Sequence, residues 1–488
     1  MIINKQSIGS SLKILLIFTL LNKFIGLARG IIFARILGPK ELGIFNLINP
    51  FLSIILSFST FGLLSTFMRY IPKYENLGML KDYIKRISKL IILFVIGCSF
   101  MLLFFTENAS IFIYGKAEYR NLVLIGILTM IPMVLYELIF RIFYGLRSFR
   151  IREMLRFCQL GFFTLLGIIS ISLLPTAKAA LIANLLSYII VSVIFGSIIL
   201  SYIKNINKQD KTINEKNFFV NKFKFGIWFL VIPVIMQLFG ATDRWMLNRY
   251  TNLENVGIYS VMMAAANFLF MIGVALGDSL VPNLSEMWEH NNKSRVNFLL
   301  NFLTKILVFF LITLSLLILI FKKEFISIMY GEEYFSGVAI IQYLLIFYIF
   351  YSIYWSIGVF PTLIEKTYYP FFSSSIGLIC NIIFNYFLIR KFGITGAAIA
   401  TTSAYAIILF ILIIINKKLG MQFRSETLII YLLPLILLIK TSYAFIIWMI
   451  LIFLATKTDI FFNGEEKRII YSKFQNLFLK TKKLVKLA

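Results

Sequence analysis

The sequence predicts an all-α integral membrane protein, and two observations lead to this fold class. Of the 488 residues, 60% are hydrophobic and 14% are charged, whereas an ordinary soluble domain has about half and about a quarter. Apolar runs close to the ~20 residues that span a bilayer as a helix recur between short polar breaks. Uninterrupted runs such as residues 306–321 lack the alternation of a membrane β-barrel. Helices therefore remain as the structure that pairs the backbone N–H and C=O groups in hydrocarbon.

Apolar windows bounded by charge predict about 14 spans. In chain order they cover residues 12–34, 44–67, 89–106, 121–143, 157–174, 179–203, 225–247, 256–279, 298–321, 337–360, 369–389, 395–416, 427–439 and 442–456. The last two are short, so two full helices and one re-entrant hairpin both fit them. The first window has no small-residue cleavage pattern, which predicts a retained helix rather than a signal peptide.

The distribution of charge predicts the orientation of the chain. A formal net charge of +26 would suggest nucleic acid in a soluble protein, but here the charges lie between the spans. If the N-terminus is cytoplasmic, that side holds about 32 Lys and Arg and the opposite side about 12. The positive-inside rule therefore predicts a multi-pass protein of the cell membrane with both termini in the cytoplasm.

A repeat of roughly 215 residues relates the two halves of the chain. The fragment at Gly43 matches that at Gly257, and the fragment at Tyr188 matches that at Tyr405. Each half has an even number of spans, so the copies have the same orientation and imply a cleft between two pseudo-symmetric bundles. The predicted domains are a six-helix lobe (1–204), a basic cytoplasmic linker (205–224), a second six-helix lobe (225–418), two additional helices (419–456) and a basic amphipathic cytoplasmic tail (457–488).

Polar side chains within the first and seventh spans predict a substrate-binding cavity. Counted from the cytoplasmic surface, Lys23 lies ~15 Å deep, where an ionisable group is costly unless it faces a cavity or a partner. Asn22 precedes Arg29 by seven residues, and Gln237 precedes Arg244 by the same spacing. Cations in a cavity suit an anionic substrate, and arginine binds phosphate through a bidentate fork. A second interpretation, in which the arginines anchor helix ends among headgroups, is also open.

Four further charged residues in or beside the spans are candidates for ion coupling or gating. Asp243 neutralises a cation across the cleft or titrates during transport, and the sequence leaves both roles open. Glu137 and Arg141 have the spacing of an intrahelical ion pair, which either neutralises itself or acts as a gate. Asp278 lies near the cytoplasmic end of the eighth span, where an interfacial role is the alternative.

The cysteines and the histidine predict no metal site. The three cysteines lie within apolar spans and the one histidine, His290, lies in a loop, so neither a disulfide framework nor a zinc site is expected. No cofactor is predicted. Coupling to H⁺, Na⁺ or the membrane potential is left open, although the lack of histidine in the spans excludes a histidine relay.

Three segments resemble one family. Residues 29–45 (RGIIFARILGPKELGIF), 243–259 (DRWMLNRYTNLENVGIY) and 393–405 (GITGAAIATTSAY) are similar to polysaccharide-biosynthesis flippases, the O-antigen-flippase (Wzx-type) branch of the multidrug/oligosaccharidyl-lipid/polysaccharide exporter superfamily. The resemblance implies a V-shaped pair of six-helix lobes with two extra helices. By position, Arg29 and Arg35 match the arginines of the first signature, and Asp243 and Arg244 match the acidic-basic pair of the seventh span.

The resemblance and the cations predict a flippase. It would translocate a polyprenyl-(di)phosphate-linked oligosaccharide from the cytoplasmic to the outer leaflet by alternating access, for surface polysaccharide or glycan assembly. Expected partners are that lipid, anionic membrane lipids and polysaccharide-assembly proteins, without nucleic acid. A peptidoglycan-precursor flippase and a drug/cation antiporter of the same superfamily are the alternatives. No external loop exceeds ~20 residues or collects paired carboxylates, which predicts a transporter rather than an enzyme.

Overall fold

The structure, a computed structural model, describes residues 8–205, 213, 217–366 and 368–472. Within these residues the chain forms helices and no strand. In chain order the α-helices are α1 (Ile8–Ser59), α2 (Leu64–Asn76), α3 (Leu80–Phe104), α4 (Thr106–Tyr114), α5 (Arg120–Gly145), α6 (Phe149–Leu173), α7 (Ala177–Asn205), α8 (Phe218–Tyr250), α9 (Leu253–Glu289), α10 (Lys293–Ile320), α11 (Lys322–Met329), α12 (Ile341–Ile357), α13 (Val359–Leu363), α14 (Tyr368–Lys418), α15 (Ser425–Leu432) and α16 (Thr441–Lys457).

These helices confirm the all-α membrane fold. Nine helical segments of the described chain are long and apolar enough to cross a membrane. Two of them, Ile17–Ser59 and Tyr368–Lys418, each cover all or most of two predicted spans, which are separated by the kinks of α1 at Gly38 and of α14 at Gly393. α8 occupies the seventh predicted span, and two shorter apolar helices, Ser425–Leu438 and Thr441–Lys457, occupy the last two. Every predicted span therefore coincides with a helix, and the chain is a multi-pass membrane protein.

The kink in α1 follows from two adjacent residues. Gly38 has φ 68° and ψ 174°, a conformation that glycine adopts at no steric cost. Pro39 follows it and opens the next helical segment, where its fixed φ suits a first turn and its missing N–H costs no hydrogen bond. The chain thus turns between its first two spans without a long loop.

The turns between helices repeat in the two halves of the chain. Gly78 and Asn291 have positive φ values of 68° and 59°, and Arg147 and Glu365 have 57° and 59°. At all four positions the residue's N–H bonds to the carbonyl three residues earlier, and the next N–H bonds to the carbonyl five residues earlier. This is the Schellman ending of a helix. Both pairs are separated by roughly 215 residues, the spacing of the sequence repeat.

The chain divides into two compact units. Unit 1 comprises Met1–Val261, Ser327–Ser336 and Asn385–Ile394. Within it, α1 packs against α6, α5 against α7, and α2 against α5. Unit 2 comprises Met262–Ile326, Gly337–Phe384 and Thr395–Ala488, and in it α10 packs against α12 and α16. The predicted lobes 1–204 and 225–418 stay a prediction. Half of the linker 205–224, and residues 473–488 of the tail, lie outside the described residues.

Two repeat-related glycines contact each other's helix within unit 1. A Cβ on Gly43 would lie 2.0 Å from the carbonyl oxygen of Leu253, and a Cβ on Gly257 would lie 1.8 Å from that of Pro39. Leu253 is four residues before Gly257, and Pro39 is four residues before Gly43. The contact is therefore reciprocal, as at a two-fold axis between copies. This contact gives a physical reason why both repeat-related positions are glycine.

Candidate functional site

The predicted polar face of α1 contains a buried amide and a partly exposed cation. Asn22 is 7% exposed, and neither its Oδ1 nor its Nδ2 has a hydrogen-bond partner in the described part of the chain. Lys23 is partly exposed and forms no ion pair with a described residue. Because an unsatisfied buried amide costs free energy, Asn22 marks a place where a water molecule or a ligand group would be stabilising.

Arg29 lies on an aromatic ring in the interior of unit 1. Its guanidinium carbon is 4.4 Å from the ring centroid of Phe163 on α6, a cation–π contact that holds the charge while leaving its N–H donors free for other groups. The structure thus places the predicted cation of α1 against α6.

A polar pocket in unit 1 brings three of the predicted residues together. It has a volume of about 310 Å³ and is lined by residues of α1, α2, α5 and α8, including Glu137, Arg141 and Gln237. The hydroxyl-bearing residues on its wall are Ser53, Ser57, Thr60 and Ser65. The volume lies at the lower end of the ~300–1,000 Å³ typical of small-ligand sites.

The charges of this pocket neutralise each other. Arg141 Nε is 3.5 Å from Glu137 Oε2, the i, i+4 ion pair that the spacing predicts, and Arg141 Nη1 donates to Met68 Sδ. Gln237 Nε2 donates to Ser57 Oγ at 3.5 Å, whereas Gln237 Oε1 is buried without a partner among the described residues. The pocket thus offers several hydrogen-bond donors and acceptors with little net charge. That chemistry suits a neutral, hydroxyl-rich group.

Asp243 lies in a separate buried cluster of unit 1. It is 1% exposed and accepts hydrogen bonds from Tyr259 Oη at 2.8 Å and from Asn385 Nδ2 at 2.7 Å. Its neighbour Arg244 donates through Nε to Ser260 Oγ at 3.2 Å. These two hydrogen bonds join the carboxylate of α8 to side chains of α9 and α14. The sequence predicted no role for Tyr259 or Asn385.

Arg35 contacts the end of a helix. It donates through Nε to Met329 O at 3.1 Å and through Nη2 to Ser327 O at 3.3 Å and to Ile328 O. These carbonyls end α11, where they have no partner within the helix and a cation is favoured. Tyr334 Oη donates to Ala34 O at 2.8 Å and fixes the same segment on α1. The second arginine of the first signature is thus held in the packing of unit 1.

Asp278 and Lys305 are two further charged residues within predicted spans. Asp278 lies within α9, and its side chain lies outside the described part of the structure. Lys305 lies inside the ninth span and is 1% exposed, with its Nζ 3.0 Å from Phe461 O and 3.1 Å from both oxygens of Glu466. Lys305 could be recognised in the sequence as a charged residue within a span, but no role was predicted for it. Among the described residues, no group of three His, Cys, Asp or Glu side chains is placed to hold a metal ion.

Comparison with known proteins identifies two matching families and two relatives. The family model described as polysaccharide biosynthesis protein matches residues 9–288, and the MatE model matches residues 230–387. An uncharacterized membrane protein of Methanocaldococcus jannaschii is 30% identical over 263 residues, which are 52% of this chain and 50% of the relative. The probable low-salt glycan biosynthesis flippase Agl15 of Haloferax volcanii is 24% identical over 236 residues, 47% of each chain. The chain thus spans about half the length of the curated relatives it matches.

A solved structure extends the likeness of fold over nearly the whole chain. The lipid II flippase MurJ in an inward closed conformation has a TM-score of 0.68 and 20% identity, with 95% of this chain and 98% of that chain covered. At this identity the likeness establishes the fold alone. The family match over more than half of the chain establishes more: this chain belongs to the polysaccharide biosynthesis protein family.

Proposed function

We propose that the chain flips a polyprenyl-(di)phosphate-linked oligosaccharide from the cytoplasmic to the outer leaflet of the cell membrane, with both of its termini in the cytoplasm. The observation that carries this proposal is the polar pocket of unit 1 around Glu137, Arg141 and Gln237. The Agl15 relative, described as a probable glycan biosynthesis flippase, supports the same substrate class.

The pocket supports the sugar as the transported headgroup. The wall offers serine and threonine hydroxyl oxygens, a glutamine oxygen without a partner among the described residues and a partly exposed ion pair. A sugar ring presents hydroxyls that both donate and accept, so it satisfies such a wall without bringing charge into the membrane. A drug cation would require an acid that is not already paired, and Glu137 has Arg141 as its partner.

The cations of α1 support the phosphate as the second recognised group. Arg29 keeps its N–H donors available because it is held through its ring contact with Phe163. Lys23 lies six residues before Arg29 on the same helix, at a depth where its cost is offset by an anionic ligand. In this mechanism Lys23, Arg29 and Arg244 bind the (di)phosphate, and the lipid tail stays in the bilayer. Asp243 acts in coupling to H⁺, Na⁺ or the membrane potential.

A peptidoglycan precursor is the second candidate substrate. It is also a polyprenyl-diphosphate-linked sugar, so the same cations and the same pocket would recognise it. The likeness of fold to the lipid II flippase favours including it in any assay. The two candidates differ in the headgroup, and a direct competition between the two lipids distinguishes them.

Flipping in reconstituted vesicles tests the proposal. We expect purified wild-type protein to move a fluorescent polyprenyl-diphosphate oligosaccharide between leaflets, measured by the fraction of label that a membrane-impermeant reductant destroys. Arg29→Ala and Lys23→Ala should each reduce the rate about 10-fold or more, since each removes a charge-assisted contact with phosphate worth ~1.5–3 kcal/mol. Glu137→Ala should slow the sugar-linked lipid more than the same lipid diphosphate without sugar.

Two controls limit the interpretation of these variants. Lys391→Ala removes a cation from the segment between the last two spans of the second predicted lobe and should flip the lipid at the wild-type rate. Reconstituted amounts must be equal, because a loss of folded protein would also lower the rate. Wild-type rates in both α1 variants would refute the role given to these cations.

A further inference from the structure

An apolar groove within unit 2 shares no lining residue with the pocket of the proposed function. It is a groove of about 850 Å³ between α10, α16 and the helical residues 464–472. The apolar residues that extend along α10 within it are Leu299, Phe302, Leu303, Ile306, Phe309 and Phe310. A groove of this composition on a membrane protein is suited to a hydrocarbon chain.

The groove has a basic end. Arg295, at the first turn of α10, and Lys467, beyond α16, both line it. From Arg295 to Thr313, the most distant lining residue on α10, the helix rises ~27 Å, more than the ~15 Å of one leaflet. The cations therefore lie at one end of the groove, at the surface that the charge distribution predicts to be cytoplasmic, and the apolar wall extends into the bilayer.

Arg295, one of the two cations at this end, is available to an anionic headgroup. Arg295 Nη1 is 3.4 Å from Glu465 Oε1, and their side chains are 43% and 61% exposed. Exposed pairs of this kind contribute only ~0–1 kcal/mol, so a phosphate can replace the carboxylate. Lys467 is held by Thr458 O and Asp459, and the neighbouring Arg468 is exposed. The position thus combines an apolar groove with basic side chains.

We propose that this groove binds an anionic phospholipid of the cytoplasmic leaflet, with an acyl chain along α10 and the phosphate at Arg295 and Lys467. The competing occupant within the chain is segment 473–488, which follows Tyr471 at the groove. That segment has five lysines and no acidic residue, so it adds positive charge beside cations. An anionic lipid instead neutralises both the groove and the segment.

Trp448 provides a built-in probe of the groove. Its Nε1 donates to Thr313 Oγ1 at 3.1 Å, and its ring centroid is 4.9 Å from that of Phe309. Both contacted residues line the groove. A single-tryptophan variant that retains Trp448 and replaces the other four tryptophans by phenylalanine therefore reports lipid in the groove, because brominated acyl chains quench tryptophan only at short range.

The experiment titrates this variant with dibromo-phosphatidylglycerol and, separately, with dibromo-phosphatidylcholine in mixed micelles. We expect half-quenching at a lower mole fraction of the anionic lipid, by about five-fold for each of the two cations. Arg295→Ala with Lys467→Ala should remove the preference, and Arg295→Lys should retain it. The control Lys417→Ala with Lys418→Ala removes the same charge elsewhere and should leave it unchanged.

Two results would overturn the proposal. Equal quenching by both lipids would show a non-specific hydrocarbon contact, and quenching that begins only after removal of residues 473–488 would show that the tail occupies the groove. Because the tryptophan replacements can weaken folding, native mass spectrometry of the otherwise unchanged protein gives a second measurement. It should show a bound phosphatidylglycerol that is retained at higher collision energy than phosphatidylcholine and is lost in the double alanine variant.

Discussion

Replacing Gly43 with alanine tests the reciprocal contact that supports the internal repeat. The added Cβ would lie 2.0 Å from the carbonyl oxygen of Leu253, whereas an ordinary contact of this kind begins at 3.4 Å. The obstructing atom belongs to the backbone, so the helix segments must separate by more than an ångström. Overpacking of this kind costs ~1–3 kcal/mol or more, and the separation also removes other contacts between these segments.

The assay is thermal unfolding of the purified protein in detergent, followed by the loss of the monodisperse peak in size-exclusion chromatography. Gly26→Ala is the matched control, because Gly26 lies in the same helix and a Cβ there meets nothing within 4 Å. The control should raise stability by up to ~1 kcal/mol, since alanine favours a helix over glycine. A melting temperature for Gly43→Ala at or above wild type would refute the close contact. Gly257→Ala, with its Cβ 1.8 Å from Pro39 O, should behave like Gly43→Ala.

Three further variants test other contacts. Lys305→Met should destabilise the protein by ~3–5 kcal/mol because it leaves Glu466 charged and buried. Lys305→Met with Glu466→Leu should recover most of this loss in the same thermal assay. Equal stability of Lys305→Met and wild type would contradict the buried ion pair. Arg35→Ala should lower stability by ~1–3 kcal/mol because carbonyls at the end of α11 lose their donor. Arg35→Lys should retain part of the lost stability. An unchanged unfolding temperature in Arg35→Ala would exclude the role of Arg35 as a helix cap. Asp243→Asn should abolish any dependence of flipping on an imposed H⁺ or Na⁺ gradient while the protein stays folded, and a gradient response equal to wild type would remove Asp243 from coupling.

The sequence predicted the fold well because hydrocarbon restricts the options for a backbone. Each apolar window requires a helix, and the breaks at Gly38–Pro39 and at Gly393 follow from residues that end helices. The repeat was detectable because contacts such as Gly43 with Gly257 allow no side chain. Such positions are easy to recognise in a sequence because glycine recurs at the same place in both copies of the repeat.

The candidate site was predicted only in part, for a physical reason. Glu137 and Arg141 form their ion pair because four residues along a helix place two side chains together. The Ser57, Thr60 and Ser65 hydroxyls of the same pocket gave no signal, because serine and threonine often donate to their own helix carbonyls in apolar spans. Asn385 meets Asp243 across 142 residues of chain, and a pairing of that kind depends on tertiary packing rather than on local spacing.

Transport specificity in vesicles tests the central claim most directly. Purified protein is reconstituted with a fluorescent polyprenyl-diphosphate oligosaccharide, with the same lipid diphosphate lacking sugar, or with a fluorescent organic cation enclosed in the vesicles. The account predicts rapid flipping of the sugar-linked lipid, slower movement of the lipid without sugar and no efflux of the cation beyond protein-free vesicles. Efflux of the cation without flipping of the sugar-linked lipid would contradict the account and identify a drug antiporter on the same fold.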